Sequence, residues 1–105
     1  MHNLSTTNWF FTSKHGFSNF DTKKVQSMGS MFNGCSALKS LDLSSFDTSA
    51  VKKMDTMFQG CSTLTSLNLS SFDTSNVTAM GSMFSGCSAL KSLDLSKFDT
   101  QQLQI

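Results

Sequence analysis

Phe46-Asp47-Thr48 returns as Phe72-Asp73-Thr74 after 26 residues, and the same step leads back to Phe20-Asp21-Thr22 and on to Phe98-Asp99-Thr100. The register holds between these marks: Val25/Val51/Val77, Met28/Met54/Met80, Met31/Met57/Met83, Phe32/Phe58/Phe84, Gly34/Gly60/Gly86, Cys35/Cys61/Cys87, Leu38/Leu64/Leu90, Leu41/Leu67/Leu93 and Leu43/Leu69/Leu95 all obey it. A strict period of this size means one supersecondary unit stacked on copies of itself, because a single unit cannot bury its own apolar face. The 105 residues then divide into a cap and partial repeat at 1–24, full repeats at 25–50, 51–76 and 77–102, and a truncated end at 103–105.

Within one repeat, Leu38-x-x-Leu41-x-Leu43 alternates like a short strand, with Leu41 and Leu43 inward and Ser40, Asp42 and Ser44 outward. Phe46 and Asp47 follow, and then Val51, Met54, Met57 and Phe58 stand at helical spacing. With Asp47 as N-cap, Phe46 and Val51 take the positions of a hydrophobic staple, and the pairing recurs as Phe20/Val25, Phe72/Val77 and Phe98/Leu103. Gly34, Gly60 and Gly86 suit the left-handed residue that ends a helix. The order strand, turn, helix, Gly stop, loop predicts an α/β solenoid. It has parallel strands near 14–18, 40–44, 66–70 and 92–96 on one face and three short helices on the other.

The ends depart from the pattern. Thr12, His15 and Phe17 fill the slots of Leu38, Leu41 and Leu43, and Trp9-Phe10-Phe11 is expected to form a lid over the first turn. The last repeat stops after Leu103 and Ile105, before its Met and Phe positions. Phe98, Leu103 and Ile105 are therefore expected to be thinly covered and to support a homodimer through the C-terminal end.

The Leu-x-x-Leu-x-Leu pattern resembles the leucine-rich repeat, with Phe46, Phe72 and Phe98 standing where an Asn ladder is usual. The fuller string FDTS-x-V-x-x-M-x-x-MF-x-GCS-x-L, present at 46–64 and 72–90, resembles the 26-residue surface-protein repeat of the BspA-like leucine-rich repeat family. That resemblance covers residues 17 to 103 and implies a leucine-rich-repeat-like solenoid in a bacterial cell-surface protein implicated in adhesion. It implies an extracellular or cell-surface location, although no signal peptide or anchor is read in this chain, and it carries over no catalytic residue.

A net charge of +1, with scattered Lys, offers no field for nucleic acid or an acidic membrane, and no apolar run is long enough to insert in a bilayer. The sequence points to no enzyme, cofactor or metal. His2 and His15 pair with no nucleophile in a pocket-forming loop. The Asp21/Asp47/Asp73/Asp99 ladder reads as helix N-caps rather than a calcium site, since an N-cap contributes about 1 kcal/mol, more than the repulsion between neighbouring carboxylates in water. The three Cys sit one per repeat and read as small core hydrophobes rather than zinc ligands or disulfides.

What remains for function is exposed. The sheet face presents Ser40-Asp42-Ser44, Ser66-Asn68-Ser70 and Ser92-Asp94-Ser96, a small polar lattice able to meet a protein or glycan weakly and repeatedly. Lys23, Lys24, Lys52 and Lys53 form the best local basic patch for an acidic partner. The leading expectation is a non-catalytic binding or adhesion scaffold. The alternative is a structural spacer or self-assembling unit without a specific ligand.

Overall fold

The computed structural model describes residues 21–98 together with the backbone of Leu103–Gln104. The predicted strand at 14–18, the Trp9-Phe10-Phe11 lid, His2, His15 and Ile105 lie outside the described residues. Within them the period is spatial as well as sequential. Strand β1 (Ser40–Leu41) pairs in parallel with β2 (Ser66–Leu67), Ser40 opposite Ser66 and Leu41 opposite Leu67. Parallel bridges join Ser27 to Lys53 and Lys53 to Ala79 on another side of the coil. Three coils, 21–46, 47–72 and 73–98, thus lie on one another with each residue beside its counterpart one period away.

The predicted helices are absent among the described residues, and this overturns the α/β solenoid with a helical face. Within Val51 to Cys61, residues 55–60 form a run of turns instead, preceded by Lys53 in parallel bridges. Met57, Gln59 and Cys61 donate to the carbonyls of Met54, Thr56 and Phe58, three residues back, at 3.2, 3.1 and 3.2 Å, where a helix would reach four residues back. The alternate N–H groups leave the coil altogether. Met54, Thr56, Phe58 and Gly60 donate to Ala79, Gly81, Met83 and Ser85 of the next coil at 2.8, 2.9, 2.9 and 2.8 Å. Met28, Ser30, Phe32 and Gly34 repeat this one coil earlier toward Lys53, Asp55, Met57 and Gln59.

Spacing explains the choice. Phe32, Phe58 and Phe84 stack with ring centroids 5.6 Å apart on the wall where helices were expected. Successive helices about 10 Å across do not fit at that separation, whereas extended or turning chain at strand spacing does. The three-residue spacing of Val51, Met54 and Met57 suits both solutions, since each three-residue turn brings the next apolar side chain back inside. Left-handed residues complete the path: Gly34, Gly60 and Gly86 at φ 80, 77 and 78°, and Ser30, Thr56 and Ser82 at 60, 55 and 55°.

The remaining elements also differ from expectation. No strand forms at 92–96, and β3 (Met80–Gly81) lies where a helix was predicted. β3 pairs in parallel with β4 (Leu103–Gln104), Met80 opposite Leu103. That step is 23 residues, three short of the period, so the last segment crosses to the turn wall early.

The core is a set of columns. Met54, Met57, Phe58, Cys61 and Leu64 are wholly buried in the middle coil. A second Phe column, Phe46–Phe72–Phe98, stacks at 6.5 and 6.2 Å, the offset spacing that aromatic faces prefer. Beside it runs a ladder of buried threonines, Thr22, Thr48 and Thr74. The Thr22 hydroxyl donates to the Asp47 carbonyl at 3.0 Å and accepts the Asp47 N–H at 2.8 Å. Thr48 does the same for Asp73 at 2.9 and 2.8 Å. A β-branched side chain with one hydroxyl thereby closes both backbone groups of the next coil, the service that buried peptide groups require.

A candidate polar binding face

The nine residues read from sequence as a partner-binding lattice, Ser40, Asp42, Ser44, Ser66, Asn68, Ser70, Ser92, Asp94 and Ser96, are all exposed. They are held in place by the leucines between them, Leu43 and Leu69 buried and Leu41, Leu67, Leu93 and Leu95 partly so. β1 and β2 set the first two triplets side by side. Each triplet then closes the same local turn: Ser44 N–H donates to Asp42 Oδ1 at 3.0 Å, Ser70 N–H to Asn68 Oδ1 at 2.9 Å, and Ser96 N–H to Asp94 Oδ1 at 2.9 Å. These are Asx turns, which let Asp and Asn alternate at one position because either supplies the oxygen.

Two adjoining depressions lie on this face. One, of about 370 Å³, lies between Ser40-Leu41-Asp42 and Ser66-Leu67-Asn68. The other, of about 300 Å³, continues from Ser66, Asn68 and Ser70 to Ser92, Asp94 and Ser96. Eight of the nine predicted residues therefore line a recess, and Ser44 stands outside both. The recess floors carry leucine carbons and the rims carry hydroxyls, an amide and carboxylates. Asp42 is held below the usual carboxylate range by the Ser44 N–H and hydroxyl, and Asp94 by the Ser96 hydroxyl and N–H with Lys97 nearby. Both are anions at neutral pH.

Lys97 completes the second recess, and sequence reasoning passed over it. Its ammonium donates to the Ser70 carbonyl at 3.3 Å, spanning the two coils. The signal was a break in the period: the same position holds Ser45 and Ser71, and Ser71 hydrogen-bonds the Leu43 carbonyl at 3.0 Å. The second recess thus carries a cation that the first lacks.

The other predicted sites fare differently. Lys23, Lys24, Lys52 and Lys53 are all exposed on adjacent coils. Their field is not purely cationic, because Lys23 stands close enough to Asp47 to help hold that carboxyl low. Phe98 is only 8% exposed, packed on Phe72 at 6.2 Å and against Phe84 at 6.5 Å, and offers little area to a second molecule. Leu103 contributes its backbone to β4, and Ile105 lies outside the described residues.

Asp21, Asp47 and Asp73 do not head helices. Each turns Oδ1 onto the N–H two residues on, Lys23, Ser49 and Ser75, at 3.0, 3.0 and 2.9 Å. Among the described residues no group of three or more His, Cys, Asp or Glu side chains is arranged to hold one metal ion. Cys35, Cys61 and Cys87 are free thiols. Cys61 and Cys87 donate to the carbonyls of Phe32 and Phe58, one coil back, at 3.2 and 3.0 Å, and Cys35 donates to Phe32 as well. The hydrogen bond with Cys61 and burial push the Cys35 thiol up, and burial pushes Cys87 up, so neither is a ready thiolate.

No curated protein and no solved structure matches this chain. One family does, over residues 1–105, the whole length of the sequence. The chain therefore belongs to the family described as Mycoplasma protein of unknown function, DUF285.

Proposed function

We propose that this chain is a non-catalytic binding module that presents its Ser/Asp/Asn face to a protein or glycan partner at a cell surface. The observation that carries the reading is the pair of adjoining recesses, each with an apolar floor and a rim of small hydrogen-bonding groups. Such a lattice suits a ligand that offers hydroxyls at regular intervals, because every rim position can both donate and accept or accept twice. Each contact is exposed and weak. Repetition along an extended ligand raises the effective affinity without any new kind of contact. The resemblance to a surface-protein repeat supports the location.

The experiment is a glycan array together with a pull-down from extracellular-matrix proteins, run with the unmodified chain and with Asn68→Ala/Asp94→Ala. Capture of a defined glycan or matrix protein that the double variant loses supports the reading. Capture unchanged by the double variant, or none at all, removes the face from the account.

A further inference from the structure

The polar face is tied between the first two coils and parted between the second and third. The second coil holds the first there through the β1–β2 pair, through the Thr65 N–H on the Lys39 carbonyl at 2.9 Å, and through three hydroxyls. Thr63 reaches the Ser36 and Leu38 carbonyls, each at 2.7 Å, Thr65 the Lys39 carbonyl at 3.1 Å, and Ser71 the Leu43 carbonyl at 3.0 Å. One period later the same three positions hold Ala89, Lys91 and Lys97.

Ala89 carries no hydroxyl, and among the described residues the Lys91 N–H closes no rung on Thr65. No strand forms at 92–96. What crosses the seam is the Lys97 ammonium on the Ser70 carbonyl at 3.3 Å. The parting is local, because the other walls of the third coil are closed on the second. The Phe58 and Gly60 N–H groups reach Met83 and Ser85 at 2.9 and 2.8 Å, and Thr48 holds Asp73. The recess of about 300 Å³ lies along this seam. Its size stands at the small end of ligand sites, roughly 300–1,000 Å³, room for a sugar ring and not for a folded partner.

The rim chooses among small ligands. Asn68 and Asp94 each commit Oδ1 to their own turn, which leaves the Asn68 amide N–H to donate and the second Asp94 oxygen to accept. Lys97 keeps further N–H groups beyond the one on Ser70. A neutral hydroxyl both donates and accepts, so it can serve all three groups. Charged ligands fit less well. Asp94 and Lys97 cancel one another, and the adjoining recess carries Asp42 with no cation among its lining residues. The aromatic and arginine anchors of tight protein interfaces are missing from the lining.

We infer that the seam between the second and third coils takes one neutral sugar ring of a glycan chain, its C–H face on Leu67 and Leu69 and its hydroxyls between Asn68, Asp94 and Lys97. This rests on the binding role proposed above and narrows it to an uncharged sugar and to one seam. Lys97 sets the specificity, and the absence of the three hydroxyl ties leaves the seam open.

Copying the second coil into the third supplies the test. Ala89→Thr/Lys91→Thr/Lys97→Ser restores the tying residues and is expected to close the seam, raising the melting temperature while sugar binding is lost. Isothermal titration uses β-1,4-linked hexamers of glucose, mannose and N-acetylglucosamine as neutral chains, with hexamers of galacturonic acid and glucosamine as charged ones. A neutral hexamer is expected to bind, and the charged ones to bind about tenfold more weakly or not at all. Lys97→Ser, already the residue of this position in the other two coils, is expected to weaken the neutral hexamer about tenfold, the worth of one charge-assisted hydrogen bond. Lys91→Ser removes the same charge outside the recess and is expected to change nothing. Should the triple variant not fold, Lys97→Ser against Lys91→Ser decides. Charged and neutral hexamers bound alike, or equal effects of the two single variants, overturn the proposal. So does a triple variant that folds and binds as the unmodified chain does. A chain that binds no hexamer, yet captures a matrix protein that Asn68→Ala/Asp94→Ala loses, overturns the sugar and leaves the binding face standing. Capture of neither kind removes both.

Discussion

Thr48 does more for this fold than its size suggests. It is 1% exposed, and its hydroxyl holds both the N–H and the C=O of Asp73. Valine has the same shape and no hydroxyl, so Thr48→Val leaves two partly buried backbone groups of Asp73 without their partner. Each such group costs about 1–3 kcal/mol. Thr48→Val is expected to lose about 2–5 kcal/mol in urea unfolding, and Thr48→Ser, which keeps the oxygen, to lose far less. Equal losses for the two variants refute the ladder. The sequence carried the clue, since Thr22, Thr48, Thr74 and Thr100 never vary. A single polar residue among Ser and Asp looks like surface, however, and its burial depends on a neighbouring coil that no local pattern displays.

The element that matters most is the turn, where a helix was expected. Each turn opens with an aspartate whose carboxylate accepts from the residue two positions on. The Ser49 hydroxyl and N–H, with Lys23, hold Asp47 below the ordinary carboxylate range, and the Ser75 hydroxyl and N–H do the same for Asp73. A folded-state pKa below the unfolded value gives stability that is fully present above about pH 4, the unfolded carboxylate pKa. It is lost as pH falls through the folded value. Melting temperature is expected to fall with acidification below that point. In Asp47→Asn/Asp73→Asn the fall is expected to be shallower, because Asn keeps the turn's oxygen without titrating. An unchanged acid profile in the double variant would show that these carboxylates do not couple to folding. The helix was a fair reading of Val51, Met54, Met57 and Phe58, and it failed because three-residue spacing is common to helices and to chains of turns. What separated them was the destination of alternate N–H groups, which is a property of the stack.

At the scale of the whole molecule, stability belongs to the interfaces between coils. Phe58 stacks on Phe32 and Phe84 at 5.6 Å on either side and is wholly buried. Phe58→Ala therefore opens a cavity touching both interfaces, with an expected loss of about 3–5 kcal/mol. Because every coil contacts only its neighbours, that loss is expected to appear as one broadened or divided transition in thermal unfolding rather than a uniform shift. A single sharp transition lowered by less than about 1 kcal/mol would mean the column tolerates the gap.

The 26-residue period by itself determined which residues share a column and that the columns of Met, Phe, Cys and Leu face inward, because identical residues at a fixed step stack only on one another. It also marked the outward Ser/Asp/Asn positions, whose alternation with leucine needs no partner to be read. Tertiary structure decided the rest. It decided that the turn wall runs at strand spacing, that a buried threonine ladder ties each coil to the next, that Lys97 reaches across to Ser70, and that Phe98 lies under cover. In each case the deciding partner lies about one period away, where the physics of spacing and unpaired backbone groups acts between coils and leaves no mark on any one of them.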